Sequence, residues 1–175
     1  MEYEAWEPFY VQILSDFGFS QADDEAVARD LDRRLGGRRT TDRELQKLLE
    51  DQEVTVAGNG PNLVAELDDV LGILVTADEA TSVALGRGLR PAILVTDLDG
   101  TVPDQVKAND GGTIAVVHGH GDNGPAVRQW APLFAGKTVA TTQSRPMGTL
   151  RNFGGFTDGD RAVFLADTSV PLGFI

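Results

Sequence analysis

The chain has 175 residues, of which 27 are acidic and 15 basic, for a formal net charge of −12. That length fits one domain of ordinary size, and 41% apolar residues are enough for a packed core, which excludes wholesale disorder. No apolar run approaches the roughly 18 residues that would span a bilayer, the acidic start Met1-Glu2-Tyr3-Glu4 lacks a leader pattern, no cysteine is present for disulfides, thiolate zinc or nucleophilic catalysis, and the charge is of the wrong sign for a bare nucleic-acid binder.

Residues 1–51 read as helical. Trp6, Phe9, Tyr10, Ile13, Leu14 and Phe17 recur at three- and four-residue spacing, and Gly18 ends that helix. Ser20 is an N-cap for a second helix with Ala26, Val27, Leu31 and Leu35 inward, broken at Gly36-Gly37. Thr41 and Glu44 form a capping box for a third, which carries Leu45, Leu48 and Leu49. This segment predicts a helical cap without catalytic groups of its own.

From residue 52 to 175 the pattern changes to short β-branched runs at 54–57, 73–76, 92–96, 113–117 and 138–141. They are continuous rather than alternating, as in strands buried on both faces. Helix-length stretches separate them at 62–69, 78–85, 102–108 and 125–134, and another follows at 158–166. The alternation predicts an α/β fold: a mostly parallel, Rossmann-like three-layer sheet with an N-terminal helical segment. Ligands of such sheets bind at the carboxyl ends of the strands, so the residues just after each run are the candidates.

The first run leads into Gly58-Asn59-Gly60-Pro61-Asn62, a loop suited to phosphate approach or to a plain turn. The second ends at Asp78, a ribose or metal ligand or else a helix N-cap. The third ends in Thr96-Asp97-Leu98-Asp99-Gly100. If that segment is extended, both carboxylates fall on one side and suit magnesium, which takes one or two carboxylates and leaves room for water and phosphate. The fourth ends in His118-Gly119-His120-Gly121-Asp122-Asn123, which holds both histidines of the chain. An extended His-x-His places its rings on opposite sides, and no third strong zinc ligand follows at a fixed spacing. After the fifth run come Gln143 and the segment Asn152-Phe153-Gly154-Gly155-Phe156-Thr157-Asp158-Gly159-Asp160-Arg161. Thr157 is an N-cap; Asp158 and Asp160 complement the helix dipole or face a substrate, and Arg161 is available to a phosphate.

Taken together, the Gly58–Leu63, Thr96–Gly100, His118–Asn123 and Asn152–Ala162 motifs resemble the archaeal 6-hydroxymethyl-7,8-dihydropterin pyrophosphokinase family, which shares its general fold and chemistry with thiamin pyrophosphokinases. The resemblance covers residues 53–166 in order and spacing, and the last two motifs are the specific ones. It implies transfer of a diphosphate from Mg-ATP to a reduced pterin alcohol, with AMP as the second product. Asp97 and Asp99 match the family's metal-binding pair, with Asp78 and Asp122 as further acidic positions near the metal. Gly58 to Asn62, Asp78 and Thr96 are expected on the ATP side. His118, His120, Asn123, Gln143, Asn152, Thr157, Asp158, Asp160 and Arg161 are expected on the substrate side. Asp97, Asp99 and Asp122 are the expected catalytic residues, and either Asp122 or His120 is the general base. The expected partners are small molecules only, with no nucleic acid and no membrane; the oligomeric state stays open. The family usually adds another strand and helix where this chain runs into Pro171-Leu172-Gly173-Phe174-Ile175.

Three other readings compete. Asp97-Leu98-Asp99-Gly100-Thr101-Val102 also reads as the nucleophile motif of a haloacid-dehalogenase-type phosphatase, but two strand–helix units precede it, and the last lysine, Lys137, precedes Thr141 and Thr142. A nucleotide-sugar-dependent glycosyltransferase-like domain is the second, and a nucleotide-binding regulatory module the third.

Only Lys47, Lys107 and Lys137 are lysine, and 18 of the 27 acids are aspartate. That bias fits a cytoplasmic protein of a halophilic archaeon, because molar salt shortens the Debye length to about 3 Å and screens self-repulsion. An acidic protein from a high-GC genome is the alternative. Thermal unfolding followed from dilute buffer to molar potassium chloride is expected to show a melting temperature that climbs with salt. A flat melting temperature would remove the halophilic reading.

Overall fold

The computed structural model describes residues 1–36 and 39–167. The expected break at Gly37 and the tail at Pro171–Ile175 lie outside the described residues. Three helices come first: α1 (Tyr3–Phe17), α2 (Gln21–Leu35) and α3 (Asp42–Leu49). Then β1 (Val54–Ala57), α4 (Leu63–Glu66), β2 (Ile73–Ala77), α5 (Ala80–Gly86), β3 (Ile93–Thr96), α6 (Val102–Asp110), β4 (Ile114–Gly119), α7 (Gly124–Trp130), β5 (Thr138–Thr142) and α8 (Asp158–Asp167) alternate. Short 3₁₀ turns extend α4 over Leu67–Asp69, precede α7 at Gly121–Asn123 and follow it at Ala131–Leu133. No helix among the described residues is long and apolar enough to cross a membrane.

The caps behave as their chemistry requires. The Ser20 hydroxyl accepts the Asp23 amide, and Thr41 and Glu44 satisfy each other's backbone groups in a full capping box. Gly18 ends α1 at φ 68, in the left-handed region where a side chain would be strained. On α1 the buried face is narrower than its sequence stripe. Tyr3, Trp6 and Tyr10 are buried, whereas Phe9 and Phe17 are more than half exposed, at 61% and 59%. On α2 the inward row is Asp24, Ala28, Leu31 and Leu35, and Ala26 is exposed.

All five strands are parallel and stand in the order β1-β2-β3-β4-β5. A monotonic order has a consequence. Crossovers are right-handed, so four successive ones put α4, α5, α6 and α7 on the same face of the sheet. The registered pairs Ala57↔Thr76, Thr76↔Leu94, Leu94↔Ala115 and Val117↔Ala140 mark that face. Leu94, Ala115, Val117 and Ala140 pack there against Val102, Val127 and Phe134. The opposite face is left to helices from outside the series. Leu45 and Leu49 of α3 and Ala162 and Leu165 of α8 cover Val75, Ile93, Val95, Val116 and Val139.

The N-terminal segment is therefore part of both sheet cores: α3 closes one face, and α2 lies on the other across β4 and β5 through Ala28, Leu31 and Leu35. Gly119 permits this close approach. A Cβ there would sit 3.1 Å from the Ala28 Cα and 3.3 Å from its amide nitrogen, both of them backbone atoms. Gly119→Ala is expected to push α2 outward and to lower stability by about 1–3 kcal/mol, as overpacking does. Denaturant unfolding with an unchanged midpoint would show the contact to be slack.

Candidate active site

Three strand–helix units deliver acidic groups to one point. Asp78 follows β2 directly and adopts φ 42, and Asp97 follows β3. Asp158 opens α8, which arrives from the opposite face of the sheet. Ligand oxygens of these three carboxylates lie within 4.8 Å of one another. Asp158 is buried, and Asp78 and Asp97 are half-buried.

The surrounding bonds fix the group. Asp158 Oδ2 accepts the Asp97 amide at 3.1 Å, and its Oδ1 accepts Arg161 Nη1 at 2.8 Å in a buried ion pair. Asn123 Nδ2 donates to the Asp97 carbonyl at 2.7 Å and to the His118 carbonyl at 2.8 Å. His120 Nε2 stands 3.3 Å from Asp97 Oδ2. The Thr96 hydroxyl donates to Gln105 at 2.9 Å and accepts the Leu98 amide at 2.8 Å, which holds the turn after β3.

The electrostatics follow from crowding. Burial pushes Asp78 well above the usual carboxylate range, and the hydrogen bond shared with Asp158 and that neighbour's charge add to it. Burial also opposes ionisation of Asp158, but the bond with Asp78, the Arg161 guanidinium and the Asp97 amide together hold it below its usual range. One proton is thus kept on Asp78, whose buried Oδ1 has no partner. An orphaned buried oxygen costs free energy unless something fills its coordination. Three oxygen donors of this kind, two of them half-buried, fit a hard divalent cation such as magnesium.

The expected Asp97–Asp99 pair is not brought together in this structure. It assumed an extended chain, but Leu98 sits at φ 71 and turns the segment. Asp99 is exposed, and its Oδ1 accepts the Gly100 amide at 2.7 Å. Asp122, expected beside the metal, is also exposed and outside the trio. It lines a cavity of about 140 Å³ with Phe19, Ser20, Asp23, Asp24, His120 and Gly121. Asp158 was the group hardest to see in advance, since an acid in the first turn of a helix already has a dipole role; its one distinguishing mark is that Asp160, not Asp158, completes the cap with Thr157, through bonds of 3.2 Å each way.

Other expected site residues bond to neighbouring groups, while His118 Nε2 and Arg161 Nε are buried without a partner. Gln143 is buried and donates to Asp24 at 2.8 Å. Asn152 Nδ2 donates to the Gln143 and Ser144 carbonyls, both at 3.0 Å. His118 is buried on the α8 side, with Nδ1 3.0 Å from the Thr141 hydroxyl. Burial, then the Arg161 charge, holds its ring well below the usual histidine range and so neutral. Its ring centroid is 6.0 Å from that of His120, which faces Asp97 instead. Arg161 is buried against Asp158 rather than open to solvent. At the sheet edge, Gly58, Asn59, Gly60, Pro61 and Asn62 form an exposed loop braced by Gly60 amide to Gly58 carbonyl, 2.9 Å, and Leu63 amide to Gly60 carbonyl, 3.2 Å.

Comparisons with known proteins converge. A family model described as 6-hydroxymethylpterin diphosphokinase MptE-like matches residues 38–170. A 6-hydroxymethyl-7,8-dihydropterin pyrophosphokinase of Methanothermobacter thermautotrophicus is 43% identical over 174 residues, 95% of this chain and 73% of its own. Proteins of the same name from Pyrococcus furiosus and Methanocaldococcus jannaschii are 41% and 35% identical, each over 95% of this chain and 73% and 74% of their own. With its parallel sheet, its carboxylates at the strand ends and these relatives, the chain belongs to the 6-hydroxymethylpterin diphosphokinase MptE-like family.

Proposed function

We propose that this chain is a 6-hydroxymethyl-7,8-dihydropterin pyrophosphokinase of the cytoplasm, moving a diphosphate from Mg-ATP to the pterin alcohol and leaving AMP. Family membership supports the reaction. The observation that carries the site is the Asp78–Asp97–Asp158 trio with its unpartnered Asp78 oxygen.

Asp78, Asp97 and Asp158 would hold magnesium, which when bound neutralises charge on the phosphate oxygens. Most of the catalysis then lies in positioning. Strand order places the Gly58–Asn62 loop on one side of the trio and the His118–Asn123 loop on the other. The first side suits ATP, where the glycines let phosphates approach the backbone. The second suits the pterin, with the cavity beside His120 and Asp122 as its seat. The pterin hydroxyl oxygen attacks the β-phosphorus, AMP leaves, and the hydroxyl proton must be taken up. His120, 3.3 Å from Asp97, is better placed to receive it than exposed Asp122. The phosphatase alternative finds no support, because Lys137 is exposed and ion-paired with Glu44 at 3.0 Å, before the start of β5.

Asp97→Asn is expected to cut AMP formation by at least about a hundredfold, as loss of a main electrostatic element does. Wild-type turnover at saturating magnesium would sink the assignment.

The trio also sets a pH dependence. Above the ordinary carboxylate range of about 4, the folded protein keeps on Asp78 a proton that the unfolded chain has released, so metal-free stability declines as pH rises. Asp158, shifted the other way, contributes stability that is present above about 4 and lost as pH falls below it. Asp78→Asn mimics the protonated form and tolerates φ 42. Without metal, its melting temperature between pH 5 and 8 is expected to exceed the wild type's and to vary less, while its activity is lost. A wild type and variant with parallel pH–melting curves would contradict this account of the trio.

A further inference from the structure

The N-terminal helices reach the site through one carboxylate. Asp24, on α2, is 2% exposed. Its Oδ1 accepts the Gly121 amide at 2.7 Å. Its Oδ2 accepts the Tyr10 hydroxyl at 2.7 Å and Gln143 Nε2 at 2.8 Å. The three donors belong to α1, to the loop after β4 and to the segment after β5. A buried carboxylate is tolerable only when its oxygens are met by donors, and bonds to a charged acceptor are among the stronger ones.

From Gly121 the connection runs into the trio. The His120 amide donates to Asn123 Oδ1 at 3.0 Å, closing the loop around Gly121. Asn123 holds the Asp97 carbonyl, and His120 stands against the Asp97 carboxylate. On the other side, the Gln143 carbonyl accepts Trp6 Nε1 at 2.8 Å and Asn152 Nδ2 at 3.0 Å, which anchors the chain that leads to Asp158. Asp24 is thus bonded to one loop that bears on Asp97 and to the segment that leads toward Asp158, yet it is not itself a member of the trio.

We propose that Asp24 is a positioning residue for diphosphate transfer: by holding the Gly121 amide and the Gln143 side chain, it sets where Asp97 and His120 stand. This rests on the reaction proposed above. Transfer between oriented groups is steep in distance, and a displacement of about 1 Å can cost about a hundredfold.

The test compares three variants by AMP formation, thermal melting and hydrogen exchange of the Gly121 amide. Asp24→Leu keeps the branched outline, with somewhat more bulk, and removes both acceptors. Although Asp24 borders the cavity beside His120 and Asp122, the variant's kcat is expected to fall about 10- to 100-fold with the KM values for ATP and for the pterin little changed, and its Gly121 amide to exchange faster. Asp24→Asn can keep its oxygen on the Gly121 amide while its own NH₂ group donates to the Tyr10 hydroxyl and to a turned Gln143 amide; it is expected to recover most of the kcat. Tyr10→Phe removes the donor on the side away from the site, so it should lower the melting temperature but leave kcat and Gly121 exchange as in the wild type. A folded Asp24→Leu protein with wild-type kcat would overturn the proposal. So would a Tyr10→Phe protein that loses as much kcat as Asp24→Leu, and this comparison with Asp24→Asn still decides if Asp24→Leu does not fold: kcat must then follow Gly121 exchange and not the melting temperature. A wild-type protein that yields no AMP with the pterin would instead refute the reaction and leave the exchange pattern standing.

Discussion

Three carboxylates whose oxygens lie within 4.8 Å of one another are the constraint around which the rest is arranged. Like charges at that range repel, and burial removes the water that would screen them. The protein relieves the strain only in part. Arg161 is committed to Asp158, and His120 stands 3.3 Å from Asp97. Asp78 answers by keeping a proton. A site built for stability would place a second cation here or dispense with one acid. A site that leaves Asp78 Oδ1 buried and unpartnered is built for a charge that comes from outside.

The sheet explains how such a group is assembled at all. Because β1 to β5 stand in sequence order, there is no reversal to open a crevice of the usual kind. Consecutive strands instead bring their ends side by side, so that β2 supplies Asp78 and β3 supplies Asp97. Neighbouring parallel strands lie about 5 Å apart, which matches the spread of the carboxylates. The third member cannot come from the same face, where the crossover helices lie. It comes from α8, whose Ala162 and Leu165 cover the other face and whose first residue therefore stands over the strand ends. The two-sided core and the three-part site are one arrangement.

This also explains what could be read from the sequence. All five strands and all three N-terminal helices were legible, because buried apolar runs and capping residues are local signals. Asp97 was legible for the same reason, as an acid directly after a buried strand. Asp99 stands apart from Asp97 because their convergence depended on an extended backbone, and nothing in the sequence announces that Leu98 takes φ 71. Asp24 is not singled out by the sequence, and Asp158 is expected on the substrate side rather than beside Asp97. Each is an acid in the first turn of a helix, where the dipole already accounts for it, and only the packing of that helix onto the sheet shows that it faces inward. The stripe on α1 overreached, since helical spacing shows a common face but not how much of that face is covered: Phe9 and Phe17 stay in solvent.

Two buried or half-buried acids in this fold show how the surroundings decide a role. Asp24 has donors on both oxygens, all from neutral groups and all within 2.8 Å. Such a carboxylate has about three of its four lone-pair sites filled, and its bonds join segments that are 97 and 119 residues apart in the chain. Asp78 has the opposite surroundings: a neighbouring acid, no cation of its own, and an oxygen without a donor. Its coordination is open, so it can bind. The distinction lies in where the donors are, not in the residue type. It separates an acid whose oxygens are met by donors of the fold from an acid with an oxygen left open, although both carry the same side chain.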